Sequence, residues 1–273
     1  MSDPYRPDIL YHYTTQEGLL GILEKKVIYA SSIQHLNDSS EFNYAVKVAL
    51  RALSAVTELP TVVNEHLTTY LNGCRYGWDV FVSSFSTDGD QLGQWRAYGK
   101  DGGYCIGFDG GELDRLAVAQ GYELRNCTYN DREHSILVAN LLEKVVAKAN
   151  NAADLAPASL IFLQNFLELA PTFKDRSFQA EQEWRISKLQ TAPMSGNLDH
   201  EIKYRPGKSF YVPYKEFKLT DEHSTQLPIR MVYVGPTPHP ELSAWTVRNH
   251  LQILGMKFDV VKVYPSRVPY RAW

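Results

Sequence analysis

No stretch of the 273-residue sequence approaches the roughly 18 consecutive apolar residues that a membrane-spanning helix needs. The opening, MSDPYRPDIL, is too polar for a signal peptide, so the expected location is the cytoplasm. Cysteine is scarce. Cys74, Cys105 and Cys127 are odd in number and lack CxxC spacing, which argues against both zinc and a disulfide framework. The histidines show no HxH or HExxH spacing, so no metal is expected. No GxGxxG follows a strand and no GxxxxGK[ST] occurs, which leaves Rossmann and P-loop nucleotide binding unsupported. Basic excess is missing too: 28 Lys and Arg face 31 Asp and Glu, a net charge of -3, so there is no general nucleic-acid footprint, although a local basic groove stays open.

What is present is an ordinary globular mixture, 44% apolar and 22% charged, long enough for a sizeable core and unusually rich in tyrosine, with 17 residues. The spacing predicts strands at 9–13, 27–31, 78–86, 102–109, 122–129, 181–189, 209–214, 229–235 and 258–264. Helices are predicted at 14–26, from about 38, at 61–73, 90–99, 131–150, 157–170 and 240–254. Thr14 or Thr15 should cap the first helix, with Glu17 in capping-box reach of Thr14, and Asp38 with Glu41 should open the second. Strands come in groups without strict βαβ alternation. The expected class is α+β with a largely antiparallel sheet, in one domain over 1–273 with a helical insertion at about 131–175.

Three patches could carry chemistry. In ILYHYTT, His12 sits where a strand turns into a helix; it is either a satisfied core histidine or a hydrogen-bond donor held by strand geometry. In FVSSFSTDGDQLGQWRAYG, Ser84 and Ser86 share a strand face, while Gln91, Trp95 and Tyr98 form one helical stripe beside Arg96. That stripe reads equally as a hydrophobic seam or as a ring platform with a cation for phosphate. In EQEWRI, Glu181, Glu183 and Arg185 fall in one row of a strand, with Trp184 facing inward. Paired carboxylates suit stabilisation of developing positive charge; the bland reading is a solvated ion pair. Asn37 and Asp38 could line a ligand, but as cap residues they are already explained.

Taken in order, LYHYTTQEGLLGIL, LNDSSEF, QWRAYG, EQEWRI and a terminal VPYR closely resemble the DUF2971 family of bacterial proteins, over most of the chain except about 131–172. That family in turn looks like a distant relative of the ADP-ribosyltransferases of His-Tyr-Glu type, which bind NAD in the cleft of a split, mostly antiparallel β structure. The resemblance implies a fold of that type and cleavage of the nicotinamide–ribose bond, with ADP-ribose passed to a macromolecular acceptor, protein or nucleic acid. His12 matches the family's histidine, Tyr98 its stacking tyrosine with Trp95 as the alternative ring, and Glu183 its glutamate, with Glu181 second. Tyr13 stands where that subgroup usually has glycine. Tyr13, Thr14, Ser84, Ser86, Trp95, Arg96 and Tyr98 would line the NAD site, Arg96 as the nearest cation for the pyrophosphate. The resemblance makes a bacterial toxin or phage-defence effector an expectation, with a cognate antitoxin or defence partner. Hydrolysis by water, as an NAD glycohydrolase, and a non-catalytic nucleotide-binding or protein-interaction module are the alternatives.

Overall fold

Thr15 accepts a hydrogen bond from the Gly18 amide and so caps the first helix of the chain. Thr15, and not Thr14, is therefore the cap, and Glu17 falls inside the first turn instead of completing a capping box. The fold is described from a computed structural model covering residues 6–36, 40–57, 59–77, 79–99, 102–148, 152–190, 201–257 and 260–270. It starts with β1 (Ile9–Thr14), α1 (Gln16–Lys25) and β2 (Val27–Ser32). Lys26 closes α1 in the left-handed region, φ 56°, with its amide on the Ile22 carbonyl.

Then come α2 (Ser40–Ala55), α3 (Thr61–Gly77), β3 (Asp79–Ser86), α4 (Leu92–Tyr98), β4 (Tyr104–Asp109), α5 (Gly110–Ala119) and β5 (Glu123–Asn126). After these follow α6 (Asp131–Lys148), α7 (Ala152–Leu169), β6 (Glu183–Gln190), β7 (Lys203–Pro206), β8 (Tyr211–Lys218), β9 (Ile229–Val234), α8 (Pro240–Ile253) and β10 (Lys262–Pro265). Asp38, predicted to open α2, lies outside the described residues. Two elements escape the sequence pattern. Gly110 and Gly111 mask the start of α5, which Asp109 nevertheless caps by accepting from the Glu112 amide at 2.9 Å. β7 is four residues with a terminal proline, a short edge strand with little periodicity to read.

The class is α+β. Among the described residues, one sheet of ten strands runs β10-β9-β4-β1-β3-β2-β8-β7, and β6 and β5 extend it from the other edge of β3. Pairing is antiparallel except for β9 with β10. β1 and β2 share a single edge of β3: Tyr11 pairs with Ser86 near one end, and Ser31 and Ser32 pair with Val82 and Phe81 nearer the other. The sheet is thus split along this edge. Inside the gap the Ser84 carbonyl meets the His12 ring instead of a strand, Nδ1 to O 2.9 Å. A carbonyl can only accept, so Nδ1 carries the proton.

Alternation along the strands sorts side chains onto two faces. Leu10, Phe85, Ile106, Phe108, Trp184 and Ile186 belong to a core shared with residues of α1, α5 and α8. Val80 and Val82 belong to a second core with α2, α3, α6 and α7. The helical stretch predicted at 131–175 supplies α6 and α7, which pack on α2 and α3.

Candidate functional site

The site is built where β6 begins. A 3-10 turn, Arg176–Glu181, runs into Gln182, whose φ of 46° is left-handed, and the strand starts at Glu183. This corrects the sequence expectation that Glu181 sits on the strand in one row with Glu183 and Arg185. The kink replaces that alternation, and both carboxylates still converge on the Lys174 ammonium. Glu183 is only 6% exposed. Arg185 donates to it through Nε to Oε1 at 2.7 Å and through Nη2 to Oε2 at 3.2 Å, and Lys174 also bonds Oε2. Arg185 turns its remaining donors to the Pro171 carbonyl, 2.7 Å, and to Glu41. Glu41 in turn lies 3.0 Å from Lys174.

Burial alone would push the Glu183 carboxyl up. The Arg185 and Lys174 charges beside it outweigh that and hold its pKa at about 2. Burial likewise works against the Lys174 ammonium, and Glu183 and Glu41 raise it overall, so the lysine stays charged. Glu41, Glu183, Lys174 and Arg185 are buried, whereas the Glu181 side chain keeps 33% of its surface open. Glu181 is therefore the carboxylate of the group that solvent or a ligand can reach.

Tyr98 completes the arrangement from α4. Its ring is 41% exposed. Its phenol is pushed up by desolvation first and then by the negative charges of Glu183 and Glu181, which puts Tyr98 within electrostatic reach of the carboxylate cluster. Strand register puts Ser86 opposite Glu183 and Ser84 opposite Arg185, on the same face of the sheet. Ser86 is committed to the loop: its hydroxyl donates to the Glu181 carbonyl at 2.8 Å and accepts from the Asp88 amide at 3.1 Å. Ser84 is half-buried on the floor beside Arg185. The structure thus brings together Tyr98, Glu181, Glu183, Ser84 and Ser86.

Other expected lining residues are placed elsewhere. Tyr11, Ser86 and Glu183 are aligned across β1, β3 and β6, so they share a face, and the next residue, His12, turns to the opposite one against Phe85, ring centroids 5.5 Å apart. Burial holds the His12 pKa below its usual value, keeping the ring neutral. Thr14 points the same way, with its hydroxyl packed over Gly18, where a Cβ would lie 1.9 Å from it. Tyr13 cannot stack on a ligand: it is buried edge-on against Trp95 at 4.9 Å, donates to the Asp88 carbonyl at 2.8 Å and accepts from the Gln91 amide at 2.9 Å. Trp95, the alternative stacking ring, is 0% exposed and donates from Nε1 to Asp90 at 2.7 Å, so the seam reading of the α4 stripe holds for it. Arg96 is exposed, 5.7 Å above the Tyr270 ring.

Sequence reasoning missed Glu41 and Lys174. Glu41 was already explained as a capping-box residue. Lys174 lies at the end of a stretch without a motif, and nothing local to it announces three carboxylates. Tyr129 was also missed; its hydroxyl accepts from the Glu183 amide at 2.8 Å and helps fix the start of β6.

A family model described as a protein of unknown function (DUF2971) matches residues 94–186. Over this stretch the chain is similar to DUF2971. The DUF2971 stretch runs from α4 to β6 and contains Tyr98, Tyr129, Lys174, Glu181, Glu183 and Arg185; Glu41 and His12 lie outside it. No curated protein and no solved structure matches the chain. No helix among the described residues is long and apolar enough to cross a membrane.

Proposed function

We propose that this protein cleaves the nicotinamide–ribose bond of NAD and passes ADP-ribose to a macromolecular acceptor. The observation that supports it best is the convergence of two carboxylates, Glu181 and Glu183, on the Lys174 ammonium, within electrostatic reach of the exposed Tyr98. Tyr98 offers an open ring edge for an aromatic leaving group. As the bond breaks, nicotinamide departs with the bonding electron pair and positive charge grows on the ribose. Glu183, fixed as an anion, supplies the local field, and Glu181, paired with Lys174 but open on one side, faces the ribose. The acceptor hydroxyl or amine then bonds to the ribose carbon and gives its proton to Glu181. His12 takes no part in this scheme.

A second reading is a nucleotide-binding module without turnover, acting through a toxin or defence partner. It is favoured by the saturation of Glu183, both of whose oxygens are held by Arg185 and Lys174. Incubating the purified protein with NAD and cell lysate separates the two. Nicotinamide release lost in Glu181→Gln supports catalysis. A rise in melting temperature with NAD but no release supports the binding module.

A further inference from the structure

The catalytic reading lacks a cation for the two phosphates, since Arg96 lies over Tyr270. The sheet register points to a different arginine. Glu183 pairs with Ser86, and Ser86, Ser84 and Val82 alternate along β3 on one face. Val82 pairs with Ser31 of β2, Ser31 with Tyr214 of β8, and Tyr214 with Lys203 of β7, which puts Arg205, two residues on, on that same face. Arg205 reaches back across β8, and its Nη2 donates to the Ser31 hydroxyl at 3.1 Å. Its Nε is shut off from solvent and has no partner among the described residues.

Among the described residues no carboxylate pairs with Arg205. Its neighbour Lys203 is already neutralised by Glu216 at 2.8 Å. A half-buried guanidinium that has no counter-ion among the described residues is a candidate anion site. From the Val82 row, next to Ser31, to the Glu183 row is four residues of β3, roughly 13 Å. That is the scale of a dinucleotide, not of a single sugar.

We propose that Arg205, braced by Ser31, anchors the pyrophosphate of the dinucleotide whose ribose lies at Glu181 and Tyr98. This rests on the NAD reading for the identity of the ligand. The anchor itself is tested by binding alone: melting temperature and calorimetric titration with ADP-ribose, inorganic pyrophosphate and adenosine, on wild type, Arg205→Gln, Arg205→Lys and Ser31→Ala. ADP-ribose and pyrophosphate should bind wild type, and adenosine should not. Arg205→Gln should weaken ADP-ribose by about tenfold to a hundredfold, Arg205→Lys by less because it keeps charge but loses the fork. Ser31→Ala, which leaves the arginine in place, should weaken it in the same direction and covers the case in which Arg205→Gln fails to fold. ADP-ribose affinity equal in wild type and the folded variants overturns the anchor, as does the absence of any response to ADP-ribose and pyrophosphate. Arg205-dependent binding with no nicotinamide release keeps the anchor and overturns only the catalytic reading.

Discussion

His12 and Glu183 lie on opposite faces of the same sheet. The row Tyr11–Ser86–Glu183 fixes this, because the residue after Tyr11 must turn the other way. His12 instead closes the gap where the sheet splits, through the Ser84 carbonyl. His12→Phe should therefore leave that carbonyl unpaired and cost about 1–3 kcal/mol in denaturant unfolding. Any nicotinamide release should persist in the folded variant; its complete loss there would return His12 to the site.

Lys174 and Glu183 depend on each other. Removing the ammonium in Lys174→Met strands buried carboxylates and should destabilise the protein by roughly 3–5 kcal/mol, read from the urea midpoint. Glu181→Gln, at a partly open position, should move the midpoint far less. Equal losses from the two would mean that Glu181 is as structural as Glu183.

Acid should weaken the fold in two stages. His12 has a folded pKa below its usual 6.5, so its contribution is present above that value and fades as pH drops through it. Glu183, lowered from 4.5 to about 2, contributes on the order of 3 kcal/mol above pH 4.5, and this is lost as pH falls toward 2. Unfolding free energies measured from pH 8 to pH 2 should decline in both windows, and Glu183→Gln should flatten the lower one.

Gln182 holds a left-handed backbone between the two glutamates. Gln182→Gly relieves the clash of a Cβ in that conformation and should be neutral or slightly stabilising, whereas Gln182→Val should cost about 1–2 kcal/mol. Stability unchanged in Gln182→Val would mean that the kink is not enforced.

Much of this was legible in the sequence because periodicity is local. The β-rich runs at β1, β3 and β9 and the apolar stripes of the helices follow from spacing alone. So does the inward-facing Trp184. What escaped depends on pairs distant in the chain. Glu41 meets Arg185 across 144 positions, and no spacing rule links them. The opposite facing of His12 and Glu183 needs the register of three strands, and Gln182 breaks the two-residue alternation that had put Glu181 on the strand. Trp95 and Tyr98 sit in one stripe, yet Trp95 is sealed against Tyr13 and Tyr98 is open.

The most direct measurement is nicotinamide release from NAD, with lysate as acceptor source, by wild type, Glu181→Gln and His12→Phe side by side. Release is expected from wild type and from folded His12→Phe, and none from folded Glu181→Gln. Release that survives in Glu181→Gln, or none from wild type under any condition, would contradict the catalytic reading.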